Sequence, residues 1–285
     1  MIDAANLDDA ALEAVCDRAL LDEAAAITGF AEAKTPDVAR AARMIHRSAA
    51  PLIVSGIGKS GHIANKIAST FRSIGKSATF LHAGEASHGD LGLIAEGSVV
   101  LILSNSGETT ELSDLIHYCR VHDHPIIALT ATRENTLARA AEIVIAYGRV
   151  TEVCPNGLAP TTSTTLQLAI GDALAVGVTH LLGTAPDDFR RYHPGGKLGT
   201  MLLTVRELMH TGDALPYVSP DAAMSETGAV MAEKALGVAL VREDGEVTGI
   251  ITDGDMRRHA ENLWTARAGD IATANPVFVE ADALA

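Results

Sequence analysis

Two stretches of this chain carry more hydroxyl, amide and backbone-donor capacity than a simple connection needs. The first is Ser55-Gly-Ile-Gly-Lys-Ser-Gly61. Its glycines let the chain turn tightly, and free N–H groups at the start of a following helix attract a phosphate. It is not a Walker A loop, because four residues do not separate its first glycine from Gly-Lys-Ser. It is not a dinucleotide fingerprint either, because His62 stands where the last glycine would be. A plain tight turn would use the same glycines. The second stretch is Ser104-Asn-Ser-Gly-Glu-Thr-Thr-Glu111. Helix capping needs one hydroxyl. The surplus suits a phosphate monoester held by hydrogen bonds and a helix end, without a lysine. Between them, His82-Ala-Gly-Glu-Ala-Ser-His-Gly-Asp90 gathers acid–base and metal-ligand types. Gly84 and Gly89 weaken any helix that would hold His82 and Glu85 as zinc ligands, so acid–base work is the preferred reading.

These loops need a scaffold, and the pattern around them supplies one. Leu52 to Ser55, Ala78 to Leu81, Val99 to Leu103, Ile126 to Leu129 and Ile143 to Ala146 are short apolar runs. Helical stretches alternate with them over Ser60 to Ile74, Thr110 to Val121 and Asn135 to Ala141. Gly75 is the stop signal of the first. Strand and helix in alternation with short links predict a parallel sheet covered on both faces. Its strand ends converge on one crevice. Helices over Asn6 to Lys34 and Val38 to His46 precede the sheet, and an apolar helix over Thr161 to Leu182 follows it. Arg190 to Gly199 is then a Gly- and Pro-containing loop. After Thr204 the texture changes. A strand at Tyr217-Val218, a helix over Asp221 to Lys234, strands Val238 to Val241 and Val247 to Ile251 joined across Asp244-Gly245, and a helix from Met256 predict a small α+β unit.

Composition narrows the function classes. The 285 residues are 47% hydrophobic and 20% charged, a globular balance. Aromatics are only 4%, so the core must be Ala, Val, Ile and Leu. A net charge of −14 repels nucleic acid and anionic membranes, so neither is an expected partner. Cys16, Cys119 and Cys154 lie far apart with no CxxC spacing, which fits a reducing compartment. The acidic N-terminus is unlike a signal peptide, and no apolar run approaches the roughly 20 residues of a spanning helix. A cytoplasmic protein is expected.

Five motifs stand in order along the chain: Gly56 to Gly61, His82 to Asp90, Ser104 to Thr109, Asn156-Gly-Leu-Ala-Pro-Thr-Thr-Ser163 and His193-Pro-Gly-Gly-Lys-Leu-Gly199. In order and spacing they resemble the arabinose 5-phosphate isomerases, sugar isomerase (SIS) domain enzymes followed by paired CBS domains. The resemblance implies a doubly wound SIS sheet over residues 1–204 and a first CBS repeat over 205–268, where Gly249 to Arg258 matches the repeat's end. Residues 269–285 look like the start of a second repeat, most of which is missing. That makes nucleotide binding at the CBS unit doubtful, and residues after about Asn275 are expected to be disordered unless another chain covers them.

The resemblance also implies interconversion of ribulose 5-phosphate and arabinose 5-phosphate through an enediol, feeding synthesis of Kdo, the eight-carbon acidic sugar of lipopolysaccharide or capsule. No cofactor is required. Carried over by position, Ser104, Asn105, Ser106, Thr109 and Ser60 resemble the phosphate cradle, and Gly75, Lys76, His82 and His88 are counted with the substrate-binding residues. Lys59, Glu111, Glu152, His193 and His88 match the residues used for catalysis. Lys59 is suited to a developing enediolate, and Glu111 or Glu152 to the base. His88 or His193 is suited to ring opening or proton shuttling, histidine titrating nearest neutrality. His82 is a candidate for an inhibitory zinc ion. The family forms tetramers with sites completed across subunits, so a homotetramer with His193 in a neighbour's cavity is expected. An SIS isomerase of another sugar phosphate would share the serine loop but not the full motif set. A sugar-phosphate sensor would dispense with Lys59 and the paired Glu and His groups, and a DNA-binding regulator would need a basic helix-turn-helix.

Overall fold

The structure is a computed structural model that describes residues 8–184, 192 and 203–285. The chain divides into two compact units, Met1–Pro194 and Gly195–Ala285. In the first, α1 (Asp9–Glu32) and α2 (Asp37–Arg47) precede β1 (Leu52–Gly56). There follow α3 (Gly58–Ser73), β2 (Ala78–His82), α4 (Ala83–Ala86), β3 (Val100–Leu103), α5 (Ser113–Val121), β4 (Ile126–Thr130), α6 (Thr136–Ala140), β5 (Ile143–Ala146) and α7 (Thr162–Leu182). The five strands are all parallel and run β2-β1-β3-β4-β5 across the sheet. β1, β3 and β4 are buried along their whole length, which is why their sequences are continuous apolar runs.

Successive side chains point to opposite faces and build two cores. Leu52, Val54, Leu101, Leu103 and Leu129 meet α2, α3 and α7 through Ile45, Ile67, Phe71 and Leu174. Ile53, Val100, Ile102 and Ile126 meet α5 through Leu115, Ile116 and Cys119. Crossovers between parallel strands are right-handed, so their helices change face when the strand order changes direction. The chain steps one way from β1 to β2 and the other way from β3 to β5. That reversal leaves a crevice beyond the carboxyl ends of β1 and β3, the usual ligand position in such sheets.

Two local devices hold this arrangement. Helix α3 ends at Gly75, whose φ of +88° admits only a residue without a Cβ at no cost. The Gly75 N–H donates to the Arg72 carbonyl at 3.1 Å and the Lys76 N–H to the Phe71 carbonyl at 3.0 Å, a Schellman closure. Helix α7 has the length and mean hydropathy, 1.4, of a membrane span, which the short apolar runs of the sequence did not suggest. In this fold it is a core helix, with Leu166, Ile170, Leu174 and Val178 buried.

The second unit holds α8 (Val205–Leu208), β6 (Tyr217–Val218), α9 (Met224–Lys234), β7 (Val238–Glu243), β8 (Glu246–Thr252), α10 (Asp253–Arg258), α11 (Ala268–Ile271) and β9 (Thr273–Ala274). Its sheet runs β6-β7-β8-β9. Asp244 and Gly245 both have positive φ, the two-residue turn that matches strand twist. α10 starts ahead of Met256 because Thr252 and Asp255 cap each other. The Asp255 carboxylate accepts from the Thr252 hydroxyl at 2.6 Å and the Thr252 N–H at 2.8 Å. Those bonds, with Arg258, hold its carboxyl down at about 2. Val277, Phe278 and Val279 are exposed, but the segment after Asn275 is not the disordered tail the sequence suggested. Beyond them the chain is tied back. The Val205 and Arg206 amides donate to the Ala283 and Ala281 carbonyls, and the Ala285 amide to that of Leu203.

The tightness of the first core is testable at Gly171 on α7. A Cβ there would stand 2.3 Å from Ile67 Cδ1. Gly171→Ala should destabilise the unit by about 1–3 kcal/mol through overpacking. A thermal melt should register this as a fall of several degrees in Tm.

Candidate active site

The first loop is shaped by the absence of two side chains. A Cβ on Gly56 would lie 3.0 Å from the Ser60 backbone and 3.1 Å from the Leu103 carbonyl, and one on Gly61 would lie 3.0 Å from the Gly56 carbonyl. The first turn of α3 is thus pressed onto the end of β1. Lys59 and Ser60 stand in that turn, Lys59 exposed and Ser60 half-buried. Ile57 at the N-cap offers no side-chain acceptor, so the first amides of α3 remain open to a ligand.

Strand register brings the other loops alongside. Gly56 pairs with His82 on one side and with Leu103 on the other. Neighbouring strands are about 4.8 Å apart, so the starts of all three loops fall within about 10 Å. Ser104 is buried, its hydroxyl accepting from the Gly107 N–H at 3.0 Å and lying 3.0 Å from the Thr109 hydroxyl. The Ser106 hydroxyl accepts from the Glu108 N–H at 3.2 Å. Gly107, at φ +65°, packs so closely on Asn135 that a Cβ would come within 2.1 Å of it. Asn135 caps α6 through Ala138 and bonds the Thr130 hydroxyl. The Glu108 carboxylate accepts from the Thr136 N–H and hydroxyl. The serine loop is therefore fastened to α6, and a tight turn over Thr110–Leu112 separates it from α5.

The candidate carboxylates differ in freedom. Glu111 is exposed, and hydrogen bonds from its own amide and the Thr110 hydroxyl hold its pKa below the ordinary range. Glu152 is fixed at the start of α7. Its Oε2 accepts from the Thr161 N–H at 2.7 Å, the Thr161 hydroxyl at 3.1 Å and the Ser163 N–H at 3.2 Å. Burial alone would raise its pKa, but the polar groups of Ser163 and Thr161 outweigh that and lower it. A negative charge at a helix N-terminus is favourable for the same reason.

His82 ends β2, exposed, its ring edge-on to Phe80. His88 is exposed in the turn after α4. Among the described residues no three His, Cys, Asp or Glu side chains converge as a metal site. Gly75 and Lys76 stand apart from the other predicted site residues. They precede β2, at the amino-terminal edge of the sheet. Lys76 is buried, with its ammonium donating to the carbonyls of Ser48 at 2.5 Å and Ala50 at 3.1 Å. Both serve the architecture of this chain. His193 lies outside the described residues. Its neighbour Tyr192 lies against Gly75, where a Cβ would be 2.8 Å from Tyr192 Cε2.

Sequence reasoning missed the residues behind the loops. Asn135 carried a signal, an Asn before a short helix. Tyr147 and Gln167 carried none. The Tyr147 hydroxyl donates to Asn105 Oδ1 at 2.8 Å, and Gln167 Nε2 donates to the Tyr147 hydroxyl at 2.9 Å.

A 2-1-3-4-5 parallel sheet with a hydroxyl-lined loop at its switch point is a doubly wound α/β fold with a ligand crevice, and the family comparison makes it a sugar isomerase (SIS) domain. The SIS domain family matches residues 45–177, and the CBS domain family matches residues 205–262. The arabinose 5-phosphate isomerase KdsD of Yersinia pestis is 42% identical over 254 residues, covering 87% of this chain and 77% of that protein. Its namesake in Escherichia coli K12 is 44% identical over 209 residues, 73% of this chain and 64% of that protein. The solved structure of an Escherichia coli CFT073 protein in complex with A5P superposes with a TM-score of 0.64 at 31% identity, over 66% of this chain and all of that one. The chain belongs to the arabinose 5-phosphate isomerase family.

The capping role of Glu152 has a signed pH dependence. Its folded pKa is lowered, so its stabilisation is complete above the ordinary carboxylate value of about 4.3 and is lost as pH falls through the folded value. Glu152→Gln should cost roughly 0.5–1 kcal/mol at neutral pH. Thermal melts across pH should show the gap to the wild type closing below about pH 4.

Proposed function

We propose that the chain is an aldose–ketose isomerase that interconverts D-ribulose 5-phosphate and D-arabinose 5-phosphate. The observation that carries this reading is the convergence of the Ser104–Thr109 loop and the open first turn of α3 on the switch point of the sheet. The phosphate is held by Ser60, Ser104, Asn105, Ser106 and Thr109. This leaves the carbonyl end of a five-carbon sugar to reach Lys59 and the carboxylates.

The base takes a proton from C1 of the ketose, and the electron pair left behind forms the C1–C2 double bond of an enediolate. Lys59 stabilises the charge on O2. Return of the proton to C2, with transfer of the O1 hydroxyl proton to O2, gives the aldehyde. Glu111 is the base of this reading, since it is ionised at neutral pH and its exposed side chain is held only locally, by its own amide and the Thr110 hydroxyl. Glu152 is immobilised by α7 and fixes the opposite wall. His88 serves ring opening. No cofactor enters the scheme. We further propose that the product feeds Kdo synthesis for lipopolysaccharide or capsule in the cytoplasm.

The same reading has the enzyme act as a homotetramer in which His193 serves a neighbour's site. Tyr192 supports it, because it sits at Gly75 on the amino-terminal edge, about a strand's length from the cradle of its own chain.

Incubation with ribulose 5-phosphate should yield arabinose 5-phosphate, identified by chromatography against authentic standards; ribose 5-phosphate as the product would overturn the assignment. Lys59→Ala should lower kcat by about 10²-fold or more without changing the melt, in the range seen when a charge-stabilising donor is removed. Mixing inactive His193→Ala and Lys59→Ala subunits should restore part of the activity. No recovery after verified subunit exchange would mean that each site is built from one chain.

A further inference from the structure

The Asn105 side chain of the serine loop is gripped from behind by two buried residues. Its Oδ1 accepts from the Tyr147 hydroxyl at 2.8 Å, and that hydroxyl accepts from Gln167 Nε2 at 2.9 Å. Tyr147 and Gln167 are both buried, while Asn105 is exposed at the crevice. The chain of bonds has a direction. Gln167 donates, Tyr147 relays, and Asn105 receives. Reversing it would bury the two N–H donors of the Gln167 amide without a partner. As it stands, Gln167 Nε2 is paired with the Tyr147 hydroxyl and the Gln167 atom without a partner is its carbonyl oxygen, Oε1. Burying one unmatched acceptor is the cheaper state, because carbonyls tolerate it better than amino groups do.

The same residues join the loop to the far wall of the site. Gln167 stands on α7, and the first turn of α7 is the one held by Glu152. Burial drives the Tyr147 phenol up to about 12, with the Glu152 charge adding to it, and keeps the proton on the relay.

We propose that Tyr147, oriented by Gln167, is a positioning residue that fixes the polarity of the Asn105 carboxamide and so turns its NH2 toward the bound phosphate. A free Asn side chain presents its carbonyl oxygen as readily as its amide nitrogen, and an anion is repelled by the first and bound by the second. With Oδ1 engaged, only the donor end is left for the ligand. The inference rests on the reading of the Ser104–Thr109 loop as the phosphate cradle.

Steady-state kinetics of the full-length enzyme with ribulose 5-phosphate, beside thermal melts, tests it. Tyr147→Phe keeps the ring and removes the relay proton. KM should rise about tenfold, the worth of one hydrogen bond to a charged group, while kcat and Tm change little. Gln167→Leu, which also removes the unmatched carbonyl, should raise KM less and leave Tm unchanged or higher. Asn105→Ala should raise KM at least as much as Tyr147→Phe, and adding Tyr147→Phe to it should change nothing further. A double variant in which the two KM effects multiply would overturn the proposal, since Tyr147 would then act independently of Asn105. An unchanged KM in Tyr147→Phe beside a raised one in Asn105→Ala would also overturn it while leaving the cradle intact. An unchanged KM in Asn105→Ala would remove the cradle reading itself.

Discussion

The isomerase unit depends on a place where no side chain fits. Gly56 ends β1 with the Ser60 backbone on one side and the Leu103 carbonyl on the other, both close to 3 Å from where a Cβ would stand. Main chain meets main chain there, and the helix, the central strand and its neighbour can approach only because the contact is bare. Everything at the site inherits its position from this contact. Lys59 and Ser60 ride on the helix turn that presses against it, and Ser104 follows directly from the strand that flanks it. The steric demand at Gly56 thus sets the distance between the lysine turn and the Ser104–Thr109 loop.

Around that contact the site is built from residues already committed to holding the fold. Glu152 caps α7, Asn135 caps α6 and braces Gly107, and Glu108 fastens the serine loop to Thr136. Such double use keeps the loops rigid without a separate supporting layer. It also explains why the carboxylates are low in pKa: the hydrogen bonds that anchor them favour the charged form. A base prepared in this way stays ionised through the physiological range. Its strength must come from alignment with the substrate more than from proton affinity.

The strands were legible because burial on both faces leaves an apolar run in the sequence, as in Val100 to Leu103. The loops were legible because glycine, serine and threonine crowd where a turn alone would need few of them. What stayed hidden was long-range or non-periodic. Tyr147 and Gln167 meet across twenty residues with no local pattern to announce them. The resemblance counted Lys76 with the substrate-binding residues, and nothing local in the sequence shows that it is buried. Only the fold exposes the Ser48 and Ala50 carbonyls that claim it. The start of α10 was misplaced because Thr252 and Asp255 cap from outside the apolar pattern that marked the helix. His193 lies outside the described residues.

The order of strands bears on how such a chain reaches its folded state. β1 finds β2 across a single helix, β3 finds β4 across another, and β4 finds β5 across a short one. Each of these pairings closes a modest loop and can form early. Only the union of Ile53 with Val100 and of Gly56 with Leu103 must bridge the whole of α3, β2 and α4. That closure is the least local of the strand pairings in this sheet, and it also sets the serine loop beside the lysine turn. A nascent chain with both halves formed but not yet joined would bury much of its apolar surface and still have nowhere to hold a phosphate. A ligand that needs both loops would bind only the joined form and favour it by mass action.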